Sequence, residues 1–229
     1  MKDDNTLDKE NTGALALDTA PQPVKEISYY VLPSSPAIYM TKQILGYSAR
    51  GRLNFLPERV HEINNKAKLK ITDINNTDEQ GNATHGAYIE YKKGKLSIKY
   101  LIEDLAKFDG YNTHVKKIFN LLLIKANEQA LDSKHNLRND GMVTFPLKLL
   151  KDMGMYKNLD SARVGFLDCA NVLTTIRTET KNKGYDVWFS SIHIENGMCR
   201  IRLGQDIDWS FIVQYFTFLP DYYFLFSFF

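Results

Sequence analysis

The side chains in the second half of the chain that could do chemistry are cations, amides and hydroxyls. They cluster on and around one helical segment: Lys157, Asn158, Ser161, Arg163, Asn171, Thr175, Arg177, Lys181 and Lys183. Arg200 and Arg202 follow in a segment with the alternation of a strand. Lysine and arginine contact phosphates, and amides and hydroxyls bond to phosphates and base edges. The pattern predicts contact with double-stranded DNA.

Catalytic signatures are absent from the sequence. It contains no G-x-x-x-x-G-K phosphate loop, no G-x-G-x-x-G, no G-x-S-x-G and no H-E-x-x-H. The five histidines include no clustered pair that would hold a metal. Cys169 and Cys199 fall at apolar positions, which favours small core residues over nucleophiles or ligands. We therefore expect no catalytic residue, no metal and no cofactor, and we expect that the protein is not an enzyme.

Elements of fixed order must position the candidate DNA contacts. The apolar spacing predicts a long helix over 113–131, a short extended piece at 143–145, a short helix over 146–153 and a second long helix over 160–180 that Asp160 or Ser161 caps. Strands over 187–195 and 198–203 follow, joined by Asn196-Gly197. This dipeptide is the strongest short-range hairpin signal, because a type I′ turn needs positive φ at both positions.

This order is that of a winged helix-turn-helix, in which the second helix of the pair enters the major groove. Phe166, Ala170, Leu173 and Ile176 then point inward. The opposite face of the helix presents Ser161, Gly165, Asp168, Asn171 and Thr175. In the hairpin, both arginines leave by one face while Cys199, Ile201 and Leu203 pack. A polar outer face is also typical of any surface helix, and Asp168 would repel phosphate.

Residues 113–219 resemble the winged-helix domain of replication initiator proteins of plasmids and mobile elements. The resemblance rests on THVKKIFNLLLIKA, on VTFPLKLLKDMGM leading into LDSARVGFLDCANVL, and on NGMCRIRLGQDIDWSFIVQYFTFLP. It implies binding to origin-type DNA and switching between dimer and monomer. A homodimer is therefore an open alternative to the monomer. It covers a little under half of the chain, and residues 27–112 match nothing in that pattern.

The whole chain is predicted to be α+β, a winged helix-turn-helix domain with an additional N-terminal α/β region. We divide it into a disordered leader (1–26), a supporting region with a β-hairpin (27–112), the DNA-binding domain (113–210) and an aromatic helix (211–229). The aromatic helix ends within an apolar run, so we expect either a truncated element or an oligomer interface. Pro220-Asp221 interrupts the run, which argues against a membrane span.

Composition places the protein among ordinary globular chains. Of its 229 residues 44% are hydrophobic and 24% are charged, and the net charge is +2. The acidic N-terminus has no apolar signal region, so a cytoplasmic protein is expected. The expected partner is double-stranded DNA, without membrane contact. Two alternatives stay open: a transcriptional regulator on the same fold, and a protein-interaction subunit that does not bind DNA.

Overall fold

The computed structural model describes residues 29–48, 59–63, 67–77, 80–104, 114–138, 140–213 and 215–224. Its helices are α1 (Pro36–Ser48), α2 (Val115–Gln129), α3 (Lys148–Asp152), α4 (Leu159–Leu173) and α5 (Trp209–Ile212). Its strands are β1 (Tyr29–Ser34), β2 (Arg59–Ile63), β3 (Ala67–Thr77), β4 (Ala83–Lys93), β5 (Leu96–Ile102), β6 (Met142–Pro146), β7 (Ile176–Glu179), β8 (Tyr185–Val187), β9 (Phe189–Glu195), β10 (Met198–Leu203) and β11 (Tyr215–Pro220). A 3-10 turn spans Asp221–Phe224. The predicted leader, 1–26, lies outside the described residues.

The largest sheet has six antiparallel strands in the order β2-β3-β4-β5-β7-β8. Side chains alternate across it, as the period of two in a strand requires. In β5, Ile98, Tyr100 and Ile102 are buried, whereas Ser97 and Lys99 lie on the other face. One face of the sheet therefore contributes to the core, and the other is polar and accessible.

This sheet corrects the predicted fold class. Strand β5, from the predicted supporting region, pairs with β7, from the predicted DNA-binding domain, through Tyr100↔Thr178 and Ile102↔Ile176. The two regions thus share one sheet. The described residues form a mixed α/β fold with three antiparallel sheets, so the prediction of a winged helix-turn-helix domain with an appended α/β region is wrong.

The physical reason lies in the sequence that follows α4. The predicted helix 160–180 ends at Leu173, and residues 176–179 form β7 instead. The hydroxyls of Thr174 and Thr175 donate to backbone carbonyls within the last turn, at 2.9 and 2.7 Å. The segment from Thr174 to Thr180 is rich in β-branched residues, which favour a strand that packs on one face. After Leu173 the buried residues therefore recur at every second position, as in a strand, and no longer at the 3.6-residue period of a helix.

The second sheet has three antiparallel strands in the order β6-β10-β9. The predicted hairpin is confirmed: Asn196 and Gly197 have φ values of 50° and 73°, the positive pair that the tight turn requires. The inner face of β10 buries Cys199, Ile201 and Leu203. Helix α4 packs on this inner face, where the rings of Phe145 and Phe166 meet edge to face at 6.0 Å.

Strand β6 forms one edge of this sheet, and a side chain occupies part of that edge. The amide of Gln129, at the end of α2, donates to the carbonyl of Thr144 at 3.0 Å. The same amide accepts from the backbone N–H of Thr144 at 2.9 Å. Both backbone groups of Thr144 that point away from β10 are thereby satisfied.

The third sheet pairs β1 with β11, antiparallel, so that Leu32 lies opposite Thr217. The expected aromatic helix over 211–229 is wrong for residues 215–220, which form this strand. The aromatic residues and the β-branched Thr217 in this segment suit a pleated surface better than a helix. Tyr215 and Phe218 stay 64% and 71% exposed. No helix among the described residues is both long enough and apolar enough to cross a bilayer.

The core contains a tight junction around Trp188, which is fully buried between the two larger sheets. Its indole stacks obliquely on Phe119 of α2 at 5.5 Å and edge to face on Trp209 of α5 at 6.0 Å. Its N–H donates to the hydroxyl of Thr178 on β7. Gly204 closes the junction, because its N–H donates to the Trp188 carbonyl and its carbonyl accepts from the Trp209 indole, each at 3.0 Å.

Candidate nucleic-acid interface

Helices α3 and α4 are joined by a tight turn that fixes their relative position. Gly154 adopts a φ of 71°, a left-handed conformation that glycine adopts without a Cβ penalty. Leu150 of α3 and Ala162 of α4 are both buried, so one helix packs on the other. The turn leaves the first residues of α4 exposed. This end of α4 is therefore accessible to a ligand.

Asn158 and Ser161, both predicted DNA contacts, form the cap of α4. The Asn158 side chain accepts from the Ser161 N–H at 2.8 Å, and the Ser161 hydroxyl accepts from the Asn158 N–H at 3.3 Å. This reciprocal arrangement is a capping box. The expectation that Asp160 or Ser161 occupies the cap position is corrected to Asn158. Both side chains remain exposed, but their geometry is determined by the helix end.

The outer face of α4 is a mixture of polar and apolar side chains. Asn171 is exposed, as expected. Val164 and Leu167, seven and four positions before it along the helix, are 61% and 38% exposed. Because positions i, i+3 and i+7 share one side of a helix, these three side chains form a continuous strip. We call Val164, Leu167 and Asn171 the outer strip.

The charges around the outer strip largely cancel. Arg163 is exposed on α4, and Lys157 precedes the helix in the turn. Neither forms an ion pair with any other described residue. Asp160 and Asp168 are exposed on the same helix. The electrostatic attraction of α4 for phosphate is accordingly modest.

Four further predicted contacts lie beyond the end of α4. Thr175 is half-buried in the link to β7, and Arg177 lies on β7, where its Nε is 3.0 Å from a carboxylate oxygen of Glu103. Lys181 and Lys183 lie between β7 and β8, and Lys181 pairs with Asp208 at 3.0 Å. Lys183 has a φ of 59°. The structure therefore places these residues with the six-stranded sheet, apart from the outer strip.

The hairpin arginines leave β10 by one face, as the alternation predicted, but that face is turned away from α4. Cys199 and Ile201 point to the side that α4 covers, so Arg200 and Arg202 point to the opposite side. Arg200 pairs with Glu195 at 3.0 Å and Arg202 with Asp140 at 3.7 Å. The two guanidinium groups and the outer strip do not form one surface.

Gly165 departs from the predicted outward face. It is half-buried against the ring of Tyr156, which a Cβ at position 165 would overlap. The Tyr156 hydroxyl lies beside Cys169, which is buried as expected, and desolvation raises the pKa of the Cys169 thiol to about 12. Burial also raises the pKa of the Cys199 thiol to about 12. Both thiols thus stay protonated at neutral pH, which suits core packing.

Sequence reasoning missed a second surface, on the polar face of the six-stranded sheet. A depression of about 390 Å³ lies there, lined by Lys70, Thr72, Tyr88, Glu90, Lys99 and Tyr185. The alternation of Tyr88 and Glu90 in β4 predicts a shared face for those two. Tyr185 comes from β8, nearly a hundred residues later, and only the pairing of β5 with β7 brings it close. Among the described residues, no group of His, Cys, Asp and Glu side chains is arranged to hold a metal ion.

Comparison with known proteins adds no family to this geometry. Neither the family models, nor the curated proteins, nor the solved structures contain a match to this chain.

Proposed function

We propose that this protein binds double-stranded DNA through the outer strip of α4. The observation that supports this most directly is the position of Asn171 beside Val164 and Leu167 on an exposed helix. A helix with its side chains is about 10–12 Å across, which fits a major groove about 12 Å wide. The strip would face the base edges, while Lys157 and Arg163 contact the backbone.

The chemistry of the strip favours A·T pairs. An asparagine amide forms two hydrogen bonds with the N6 and N7 of adenine, and apolar side chains contact the C5-methyl group of thymine. Val164 and Leu167 are exposed apolar side chains three positions apart, on the same side of the helix as Asn171, so all three could contact base pairs in one groove. The target we propose is an A·T-rich duplex.

Origin-type DNA as the physiological target rests on the sequence resemblance of residues 113–219 to replication initiators of plasmids and mobile elements alone, because the winged-helix fold that this resemblance implied is wrong. A transcriptional regulator would use the same surface. Direct repeats beside the gene would favour the initiator, and a divergently transcribed operon would favour the regulator.

We expect duplex binding that weakens as salt rises and that depends on Arg163. Removing one cation that neutralises a phosphate reduces the slope of log K against log[salt] by about one. The Arg163→Ala variant should therefore bind a labelled duplex more weakly at low salt and show a shallower slope in fluorescence anisotropy. Asp168→Asn should bind more tightly, because it removes a carboxylate that repels phosphate.

The matched control for that experiment is the double variant Arg200→Ala/Arg202→Ala. It also removes arginine charge, but from the face of β10 that points away from α4, so its affinity should equal that of the wild type. Absence of duplex binding at low salt, or an Arg163→Ala titration that superimposes on the wild type, would exclude the proposal.

Base preference provides an independent prediction. Removing a good bidentate amide pairing reduces discrimination against the wrong base by about 1–3 kcal/mol. The Asn171→Ala variant should therefore lose preference for an A·T-rich duplex over a G·C-rich duplex of equal length, while keeping the salt slope of the wild type. Equal preference in Asn171→Ala and the wild type would show that this amide does not contact base edges.

A second candidate function is a protein–protein contact through the same helix. It is favoured by the exposed apolar area of Leu159, Val164 and Leu167, which are 46%, 61% and 38% accessible. The two functions respond differently to Leu159→Lys, a position outside the outer strip. The added cation should strengthen binding to a duplex, whereas it should weaken an apolar protein contact.

A further inference from the structure

The depression on the six-stranded sheet combines aromatic and cationic side chains. Its volume of about 390 Å³ lies within the range of ligand sites, about 300–1,000 Å³. Its floor consists of strands β3, β4 and β5, whose other faces belong to the core. The backbone beneath the depression is thus fixed by the packing of Ile71, Ile89 and Tyr100. A site on such a floor is preformed.

Two tyrosines form one end of the depression. Tyr88 is 43% exposed, and its ring centroid lies 6.0 Å from that of Tyr185 at an interplanar angle of 49°. Rings at this distance and angle touch each other and leave no gap for a third ring between them. Tyr185 therefore supports Tyr88 from one side, and the exposed face of Tyr88 is available to stack on a planar ligand.

A row of alternating charges crosses the middle of the depression. Glu90 lies directly opposite Lys70 on β3 and directly opposite Lys99 on β5. A hydrogen bond from Lys92 lowers the pKa of Glu90, so its carboxylate is ionised and accepts hydrogen bonds at neutral pH. Lys99 contacts Glu179 at 2.9 Å. Glu90 thus lies between Lys70 and Lys99 in the row, and a phosphate at Lys99 would compete with Glu179 for the same ammonium group.

We propose that this depression binds single-stranded nucleic acid, with one base stacked on Tyr88 and donating an N–H hydrogen bond to Glu90, and with the flanking phosphates at Lys70 and Lys99. Aromatic side chains on a sheet stack on unpaired bases, and lysines contact the backbone beside them. A base inside a duplex has both faces covered by its neighbours and cannot reach Tyr88. The site is separate from the outer strip of α4 and does not depend on the duplex proposal.

The test is fluorescence anisotropy of the full chain with a labelled, unstructured oligonucleotide of about ten nucleotides, a length within the site sizes of single-strand binders. Losing one base–aromatic stack should weaken binding about 5- to 150-fold. We expect this loss for Tyr88→Ala and wild-type affinity for Tyr88→Phe, which keeps the ring. Lys99→Ala should weaken binding and reduce its salt dependence.

Tyr39 provides the matched control, because it is 51% exposed but lies on α1, outside the depression. Tyr39→Ala should bind like the wild type. Folding of each variant is checked by circular dichroism. Should Tyr88→Ala fail to fold, Tyr185→Ala is the second variant, and it should weaken binding because it removes the ring that supports Tyr88. No binding by the wild type at low salt, equal binding by Tyr88→Ala, or a free mononucleotide that binds as tightly as the strand would overturn the proposal. Arg163→Ala should leave single-strand binding unchanged, so the two proposals can fail separately.

Discussion

Replacing Gly204 with alanine should strongly destabilise the protein. A Cβ at this position would overlap the carbonyl oxygen of Val187 and would lie 2.8 Å from a carboxylate oxygen of Asp186. Backbone atoms cannot rotate aside as the end of a flexible side chain can. The backbone segments at Gly204 and Val187 would have to separate, and this would break the hydrogen bonds of Gly204 to Trp188 and Trp209.

We expect Gly204→Ala to lower the free energy of unfolding by about 3 kcal/mol or more, at the upper end for overpacking. Urea denaturation followed by circular dichroism measures this change. Gly184→Ala is the matched control, because the nearest atom to its added Cβ is the Thr180 hydroxyl at 3.6 Å, an ordinary contact. A midpoint for Gly204→Ala equal to that of Gly184→Ala would contradict the close approach of the two backbones.

Truncating Trp188 should lower the free energy of unfolding by a similar amount, because it leaves a cavity where Gly204→Ala creates overpacking. Trp188→Ala removes an indole that is 1% exposed and that touches Phe119 and Trp209. Deleting a buried tryptophan costs about 3–5 kcal/mol, because its packing is removed and a cavity remains. We expect a cooperative urea transition at a much lower midpoint, with the near-ultraviolet ellipticity of the remaining indole, Trp209, lost at the same urea concentration.

A milder change separates packing from hydrogen bonding at this junction. Thr178→Val keeps the shape of the side chain but removes the acceptor of the Trp188 N–H. A buried donor without its partner costs about 1–3 kcal/mol. The loss for Thr178→Val should thus be smaller than for Trp188→Ala. Equal losses in the two variants would mean that the indole contributes no packing beyond that single bond.

The parts of the fold that local sequence determines were predictable. The stripe Val115, Ile118, Leu122 predicted the long helix, which extends over Val115–Gln129. Asn196-Gly197 predicted a turn that the structure contains. In both cases the interacting residues are close in sequence, so period and turn chemistry carry the information.

The parts that depend on distant pairing were not predictable in this way. Ile176 extends the apolar period of α4 and was assigned to it, but in the structure it lies opposite Ile102 in a sheet. Tyr215–Pro220 was expected to be helical, and it pairs with Tyr29–Ser34. A single sequence without alignment does not indicate which strand lies beside which. The fold class was wrong for this reason.

In the candidate site, too, features that depend on local sequence were predictable and features that depend on packing were not. The exposure of Asn171 and the common face of Arg200 and Arg202 follow from helix and strand periods, and both are observed. The direction of that face relative to α4 is a property of packing, and it differs from the expectation. Ion pairs such as Arg177–Glu103 join residues far apart in the chain. Sequence therefore identified exposed polar side chains but not the surfaces that they share.

The two hydrogen bonds between Gln129 and Thr144 affect the tendency of the protein to associate with other copies of itself through strand β6. An unpaired edge strand is a template for a strand from another chain, and such pairing leads to aggregation. Here the backbone N–H and carbonyl of Thr144, in the middle of β6, are already bonded to the side-chain amide of Gln129 in the same molecule. A foreign strand would have to displace both hydrogen bonds before it could form its own at Thr144, so Gln129 makes strand addition at this edge less favourable.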